Sequence, residues 1–276
     1  MTFIITLIAL VMERFFHWHH FREWRWFLNY ERWLGEHSVR LPDIMRLIIS
    51  LTPPLIIIGV IEYLLSGWFY GIAELIFGVL VLLYCLGPYN LWVQVYGCID
   101  DLQKEDPALA IESAKKAFGV SAVNNSQAFH KALVRAIFIA AHERIFSVIF
   151  WFVLLGPLGA VLYRLIDLFS VREELGLTDM ALKVKQAMDW VPVRIFTFIF
   201  ALGGHFTEVF ACWKTGVSKG LESNENLLAD CGVAALDVME GDNIPEMGAA
   251  EKETIELLDR VFAMVLVLLA IIVIVV

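Results

Sequence analysis

The chain has 276 residues, 59% of them hydrophobic, a mean hydropathy of +0.70 and a formal net charge of −9. Soluble domains are about 45–50% apolar, so the composition points away from an ordinary soluble globule and towards a membrane protein. No basic stripe exists to neutralise phosphates, which excludes a nucleic-acid partner.

The apolar excess falls into runs at 47–66, 69–87, 145–163 and 261–276. A span needs roughly 20 apolar residues. The last run reaches that length only with Ile255, Leu257 and Leu258. In chain order, MTFIITLIALVM lacks a basic start and a small-residue cleavage site, so it reads as a retained short helix. Glu13 and Arg14 then lie near one face of a bilayer. Residues 13–46 carry six arginines, with nine aromatics between Phe15 and Trp33. Arginine mixed with aromatic rings suits an amphipathic helix at the membrane–water interface. His17 and His20 lie one turn apart, but no third ligand is evident nearby, and no metal site is assigned.

Pro42 opens the next helix, and Pro53-Pro54 inside the span 44–66 is expected to kink it and free backbone carbonyls for packed neighbours to satisfy. Ser66-Gly67-Trp68 is a short uncharged corner. By the positive-inside rule the flanking segments 13–46 and 88–142 are cytoplasmic. The polar insertion 97–141 shows a helix over 107–118, with Asp106 as cap, Pro107 in the first turn and Gly119 as terminator. Asn124, Asn125 or Ser126 caps the next helix. That helix is expected to run unbroken into the membrane, placing His142, Glu143 and Arg144 at the boundary.

Gly156-Pro157 in the middle of an apolar run implies a broken or strongly kinked helix. If 145–169 crosses once, Arg164, Arg172, Lys183 and Lys185 lie outside, against the positive-inside rule. If it re-enters at Gly156-Pro157 they lie inside, which is the reading favoured here. DWVPVR (189–194) has the grammar of a helix start: Asp189 to cap, Trp190 to anchor at the interface, Pro192 in the first turn and Arg194 one turn in. The following run is short for a crossing, so it is expected to be tilted or re-entrant. The segment 205–260 holds 12 acidic and 4 basic residues, two amphipathic stretches and the loop-like linker GDNIPEMGAA. Cys85, Cys98, Cys212 and Cys231 have no CxxC spacing and read as free thiols, with Cys85 buried in a helix.

Ionisable residues at the ends of apolar runs are costly in lipid and mark functional sites. Glu13, Arg14, Glu143, Arg144, Arg164, Asp167, Asp189 and Arg194 are the candidates for one charged pocket. Arginines suit a phosphate or carboxylate ligand, and the carboxylates either pair them or hold Mg²⁺. No GxxxxGK[ST], HExxH or GxSxG motif is present.

The segments HERIFSVIFWFVLLGPLGAVLYRL (142–165) and DWVPVRIFTFIFALGGHF (189–206), with FIITLIALVMERFF and NENLLADCGVAAL, resemble the AmpE family of bacterial inner-membrane proteins along nearly the whole chain. That family is similar to the cobalamin-pathway membrane enzymes CobD and CbiB, which join a corrinoid carboxylate to a phosphorylated amino-alcohol with ATP. Their acid-x-x-Pro-x-Arg element falls on Asp189, Pro192 and Arg194, and a later asparagine falls on Asn224 or Asn226. The enzymes' Ser-Arg-Asp segment has no match, and their Asn-Thr-Ser-Asp stretch is replaced around His142, Glu143 and Arg144.

The resemblance implies an all-α, multi-pass inner-membrane fold forming a single domain over 1–276. It also implies a regulatory role in β-lactamase induction and peptidoglycan recycling. A cell-wall-derived ligand and a cytosolic amidase are the expected partners beside the lipid bilayer. A membrane enzyme that makes or breaks an amide on a phosphate-bearing substrate, using ATP and Mg²⁺, is the alternative. A transporter is the third reading, compatible with the interruptions at Pro53-Pro54 and Gly156-Pro157.

Overall fold

The computed structural model describes residues 2–15, 24–37, 42–67, 71–87, 90–104, 107–121, 125–172, 176–236 and 248–275. His17 and His20, the Asp106 and Asn124 caps, Trp68 and most of the GDNIPEMGAA linker lie outside them. The described elements are helical with no strand, so the fold is all-α. The chain divides into two compact units, residues 1–88 with 144–189, and residues 89–143 with 190–276. The 97–141 segment and the acidic 205–260 segment both belong to the second unit.

The first unit contains α1 (Thr2–Phe15), α2 (Arg25–His37), α3 (Asp43–Leu65), α4 (Ile72–Cys85) and α8 (Ser147–Val171). It also takes the opening half of α9 (Thr178–Gly203). α4 packs against α1 and α8, and α3 packs against α8 and α4. Leu82, Cys85, Phe152, Ala160, Tyr163 and Phe169 form its core. α2 joins that core through Phe27, which meets Phe169 edge-on at 5.4 Å between ring centres, while Trp26 and Trp33 stay exposed on the other face. The described part of the aromatic segment, Arg25–His37, therefore forms an amphipathic helix.

α3 runs through Pro53-Pro54 as one helix. A proline at 53 removes the N–H that would bond the carbonyl of Ile49. The Tyr30 hydroxyl from α2 donates to that carbonyl at 3.4 Å, and Thr52 Oγ1 donates to the Ile48 carbonyl at 2.6 Å.

α8 behaves differently. Gly156 takes φ 65°, ψ −154°, outside helical space. Ser147 and Tyr163, on either side of it, both donate to the same oxygen of Asp189 (2.8 and 2.9 Å). A straight helix at 1.5 Å per residue would hold residues 147 and 163 roughly 24 Å apart. The chain therefore folds back at Gly156-Pro157, and α8 is a hairpin of two arms. At the bend, a Cβ on Gly159 would collide with the carbonyl oxygen of Trp151.

The second unit contains α5 (Leu91–Gln103), α6 (Pro107–Phe118), α7 (Ser126–Ala141), α10 (Phe206–Gly216), α11 (Asn224–Ala234) and α12 (Ala249–Val275), with the closing half of α9. α7 lies against α11 and α12, α10 against α11, and α5 against α6 and α12. α6 starts and stops where the sequence indicates: Gly119 is at φ +72° and its N–H reaches the Lys115 carbonyl at 2.9 Å. Asn125 is the cap of α7, accepting from the Gln127 N–H at 3.0 Å. Gly232 of α11 is bare because Phe138 of α7 occupies the space of a Cβ, and Phe138 in turn packs on Phe200 at 5.2 Å.

α7 runs into the apolar run without a break, as the sequence indicates, through a π-helical turn at His142–Phe146. One expectation is corrected. DWVPVR is not a helix start: α9 runs from Thr178 to Gly203, so Asp189 is mid-helix and Pro192 is an interior proline. The polar residues before Asp189 still satisfy helical spacing, and Lys185 and Asp189 sit one turn apart on one buried face.

Candidate functional site

In the first unit, Arg164 and Asp167 fall one turn apart on the second arm of α8. Arg164 Nη1 donates to Asp167 Oδ2 at 2.8 Å, and Lys185 Nζ of α9 meets the other oxygen at 2.9 Å. All three side chains are at least nine-tenths buried. Arg164 Nε is buried and has no hydrogen-bond partner. The guanidinium reaches the end of α4: a Cβ on Gly87, itself at φ +102°, would stand 3.0 Å from Arg164 Nη2.

The buried Asp189 carboxylate gathers the Ser147 and Tyr163 hydroxyls, joining α9 to both arms of the α8 hairpin. Neither hydroxyl stands out in the sequence, because only the reversal at Gly156 brings them together. Glu13 is buried, Arg14 and Arg144 are half-buried, and all three are engaged by partners.

In the second unit, Arg194 makes four hydrogen bonds. Nε donates to the Val217 carbonyl (2.7 Å), Nη2 to the Lys219 carbonyl (2.8 Å), and Nη1 to the Trp190 carbonyl (2.8 Å) and Asn224 Oδ1 (2.9 Å). Its guanidinium carbon lies 4.0 Å from the centre of the Trp190 ring. A cation at the carbonyl end of α10 is electrostatically favoured, and this arginine clamps the turn between α10 and α11. Of the two asparagines that could match the enzyme family's residue, Asn224 is the one on Arg194, while Asn226 accepts from Arg135 at 3.2 Å. Glu143 is half-buried and engaged.

Three features of this unit escaped the sequence reading. His130 Nδ1 and Glu251 Oε1 form a buried pair at 2.8 Å, with Glu251 Oε2 buried and unpartnered. Arg135 pairs with Asp230. Cys212 and Cys231 are free thiols with sulfurs 3.0 Å apart. The hydrogen bond from Cys231 lowers the Cys212 pKa and raises that of Cys231. Each of these pairs links separate helices, so sequence spacing carries no sign of it. Among the described residues no three His, Cys, Asp or Glu side chains are grouped to hold a metal.

Two apolar helical stretches, Asp43–Leu65 and Ser126–Val171, are long and apolar enough to cross a membrane, and Ile72–Cys85 is a shorter apolar helix. The second stretch includes the reversal at Gly156. Its return arm, residues 157–171, would span only about 22 Å at helical rise.

The fold defines an all-α protein with two apolar stretches long enough to cross a membrane and ion pairs buried beside a helical hairpin. The family described as "Regulatory signalling modulator protein AmpE" matches residues 1–276, and the chain belongs to that family. The chain is also similar to two proteins described as "Cobalamin biosynthesis protein CobD". That of Chromobacterium violaceum is 26% identical over 117 residues, 40% of this chain and 38% of the relative. That of Stutzerimonas stutzeri is 25% identical over 119 residues, 40% and 39% respectively. The matched part thus spans about two fifths of the length of these curated relatives. No solved structure matches the chain.

Proposed function

We propose that this protein is a multi-pass protein of the bacterial inner membrane that modulates the β-lactam response, coupling a cell-wall-derived ligand or a cytosolic amidase partner to β-lactamase induction. The observation that carries this reading is the regulatory family's match along all 276 residues. The hairpin in α8 supports the membrane placement: it puts Ser147 and Arg164 at the same end of the two arms, so the charged groups face one side. That side is cytoplasmic by the positive-inside rule. The candidate pocket is formed by Arg164, Asp167 and Asp189 with Lys185, where an anionic ligand would compete for cations already paired inside the fold.

The test is β-lactamase induction in a strain lacking this protein, complemented with the wild type, Arg164→Lys or Asp189→Asn. Wild type is expected to restore normal induction, and either variant, at equal membrane abundance, to fail. Induction unchanged by deletion would refute the regulatory reading.

A second reading, an enzyme acting on an amide of a phosphate-bearing substrate, is favoured by the two cobalamin biosynthesis relatives. It requires ATP and Mg²⁺ to bind. A metal taking the Asp189 oxygen that holds the Ser147 and Tyr163 hydroxyls would displace them, and Mg²⁺ binding there should perturb Tyr163 absorbance. Purified protein whose melting temperature ignores ATP-Mg²⁺ at millimolar concentration would rule this reading out.

A further inference from the structure

The first unit contains a cavity of about 530 Å³, within the roughly 300–1,000 Å³ range of small-molecule sites. Its wall is almost wholly apolar. Ile57 and Pro54 of α3, Leu80 of α4 and Val161 of α8 form the sides, and Trp24 and Tyr84 supply aromatic faces. Ile57 and Leu80 are exposed, on helices that the apolar pattern assigns to lipid, so the cavity is continuous with the membrane-facing surface.

Two observations mark a polar end. Trp24 is 4% exposed, and its indole N–H is buried with no acceptor. The Trp24 ring packs on Tyr84, 4.5 Å between centres, and Trp26 Nε1 donates to the Tyr84 hydroxyl at 2.8 Å. Beyond Tyr84 the walls converge on a cation. Three residues on from Val161 is Arg164, and three residues on from Tyr84 is Gly87, whose Cβ position lies 3.0 Å from Arg164 Nη2. On α8, Arg164 lies one helical turn past the wall residue Val161, while Gly87 lies just beyond the end of α4, which carries Tyr84. The Arg164 guanidinium therefore stands beside the end of α4 next to the cavity, with Nε–H buried and unpartnered. Guanidinium and indole N–H groups only donate, so both orphan groups call for a ligand oxygen.

We infer that this cavity binds an anionic membrane lipid, one hydrocarbon chain lying between α3, α4 and α8 and the phosphate of the headgroup meeting Arg164. The assignment deepens the proposed use of the Arg164 cluster as a ligand site by naming its ligand class. An apolar cavity alone would take any chain. The buried donors select an anionic head, and the continuity with the lipid-facing surface selects a ligand that arrives from the bilayer rather than from water.

The test is the melting temperature of the full chain in phosphatidylcholine nanodiscs, titrated with tetradecyl phosphate, tetradecyl maltoside or inorganic phosphate. Two variants accompany it. Arg164→Lys keeps a charge beside Asp167 but removes the Nε–H. The double variant Ile57→Phe/Leu80→Phe narrows the mouth at two exposed positions, so the fold is undisturbed. Tetradecyl phosphate is expected to raise the melting temperature saturably, and each variant to weaken its apparent affinity at least tenfold. Three results would each overturn the assignment: an equal response to the maltoside, an equal response to inorganic phosphate, or full affinity in the double variant. A strain in which the protein modulates induction normally, while the purified protein ignores tetradecyl phosphate, would refute the lipid and leave the regulatory reading standing.

Discussion

α3 and the α8 hairpin carry the same kind of sequence, an apolar run interrupted near its middle by proline, yet α3 stays one helix and α8 reverses. The proline is not what differs. At Pro53-Pro54 the preceding residues keep helical backbone, and side-chain hydroxyls of Tyr30 and Thr52 take up carbonyls around the interruption. At Pro157 the preceding residue is glycine, which alone can take φ 65°, ψ −154° without a steric cost. The two helices also use polar neighbours differently. α3 meets the buried carboxylate of Glu31, which bonds Ser50 but leaves Oε1 unpartnered. The hairpin meets Asp189, which is hydrogen-bonded to both arms. A proline thus bends or spares a helix according to its neighbours, and reversal needs glycine and a latch.

This contrast can be broken most strongly at the latch. Asp189→Ala leaves two buried hydroxyls without their acceptor, at about 1–3 kcal/mol for each unsatisfied group. A loss of several kcal/mol is expected in chemical denaturation of the detergent-solubilised protein, with Asp189→Asn losing less. A loss no greater than that of an exposed control such as Glu222→Ala would remove the latch from the argument. Gly159→Ala drives a Cβ into the Trp151 carbonyl and is expected to cost about 1–3 kcal/mol or more. Gly59→Ala in α3 meets only Leu158 methyl groups at 3.7 and 3.8 Å, so it is expected to be neutral or to stabilise by up to about 1 kcal/mol through helix propensity. If both changes cost the same, the bend does not depend on close backbone packing.

Gly156→Ala is expected to cost about 1–3 kcal/mol from backbone strain, with Glu62 Oε1 only 3.3 Å from the new methyl group. Melting temperatures of these glycine variants in one detergent would rank them. The smallest effect is on the α3 side and depends on pH. Burial raises the Glu31 carboxyl above its usual range, and the Ser50 hydrogen bond and the Arg46 charge only partly offset this. The folded state then holds its proton more tightly than the unfolded chain. Its contribution is present below the ordinary glutamate pKa and is lost as pH rises through the raised value. Glu31→Gln should therefore stabilise the protein at pH 8 and lose that advantage towards pH 4, as read from paired melting curves. A difference that grows towards acid would reverse the sign and refute the burial account.

Local signals were legible where a single residue decides them. A cap for α7 among Asn124, Asn125 and Ser126, Gly119 ending α6 and the amphipathic α2 all follow from residue type and spacing, and the structure selects Asn125. So does the interruption at Gly156-Pro157, although the sequence could not distinguish a kink from a reversal. The DWVPVR reading failed for a clear physical reason. Acid, proline and base within six residues are as good for a helix start as for a buried stretch of helix whose polar groups find partners elsewhere, and local grammar cannot see those partners.

The candidate site shows the same division. Arg164 and Asp167 are one turn apart in the sequence, but whether they pair or hold a ligand was open until the structure showed the contact. Lys185, Ser147, Tyr163 and the His130–Glu251 pair are brought in by packing between helices. The sequence by itself determined the all-α class, the apolar stretches, the family and which ionisable residues sit at the ends of apolar runs, because composition, periodicity and single-residue backbone preferences are local properties. Only the tertiary structure decided that α8 doubles back, that Asp189 ties its arms together, and that Arg194 clamps carbonyls in the turn after α10. Each of these depends on which distant groups come within hydrogen-bonding distance once the helices pack.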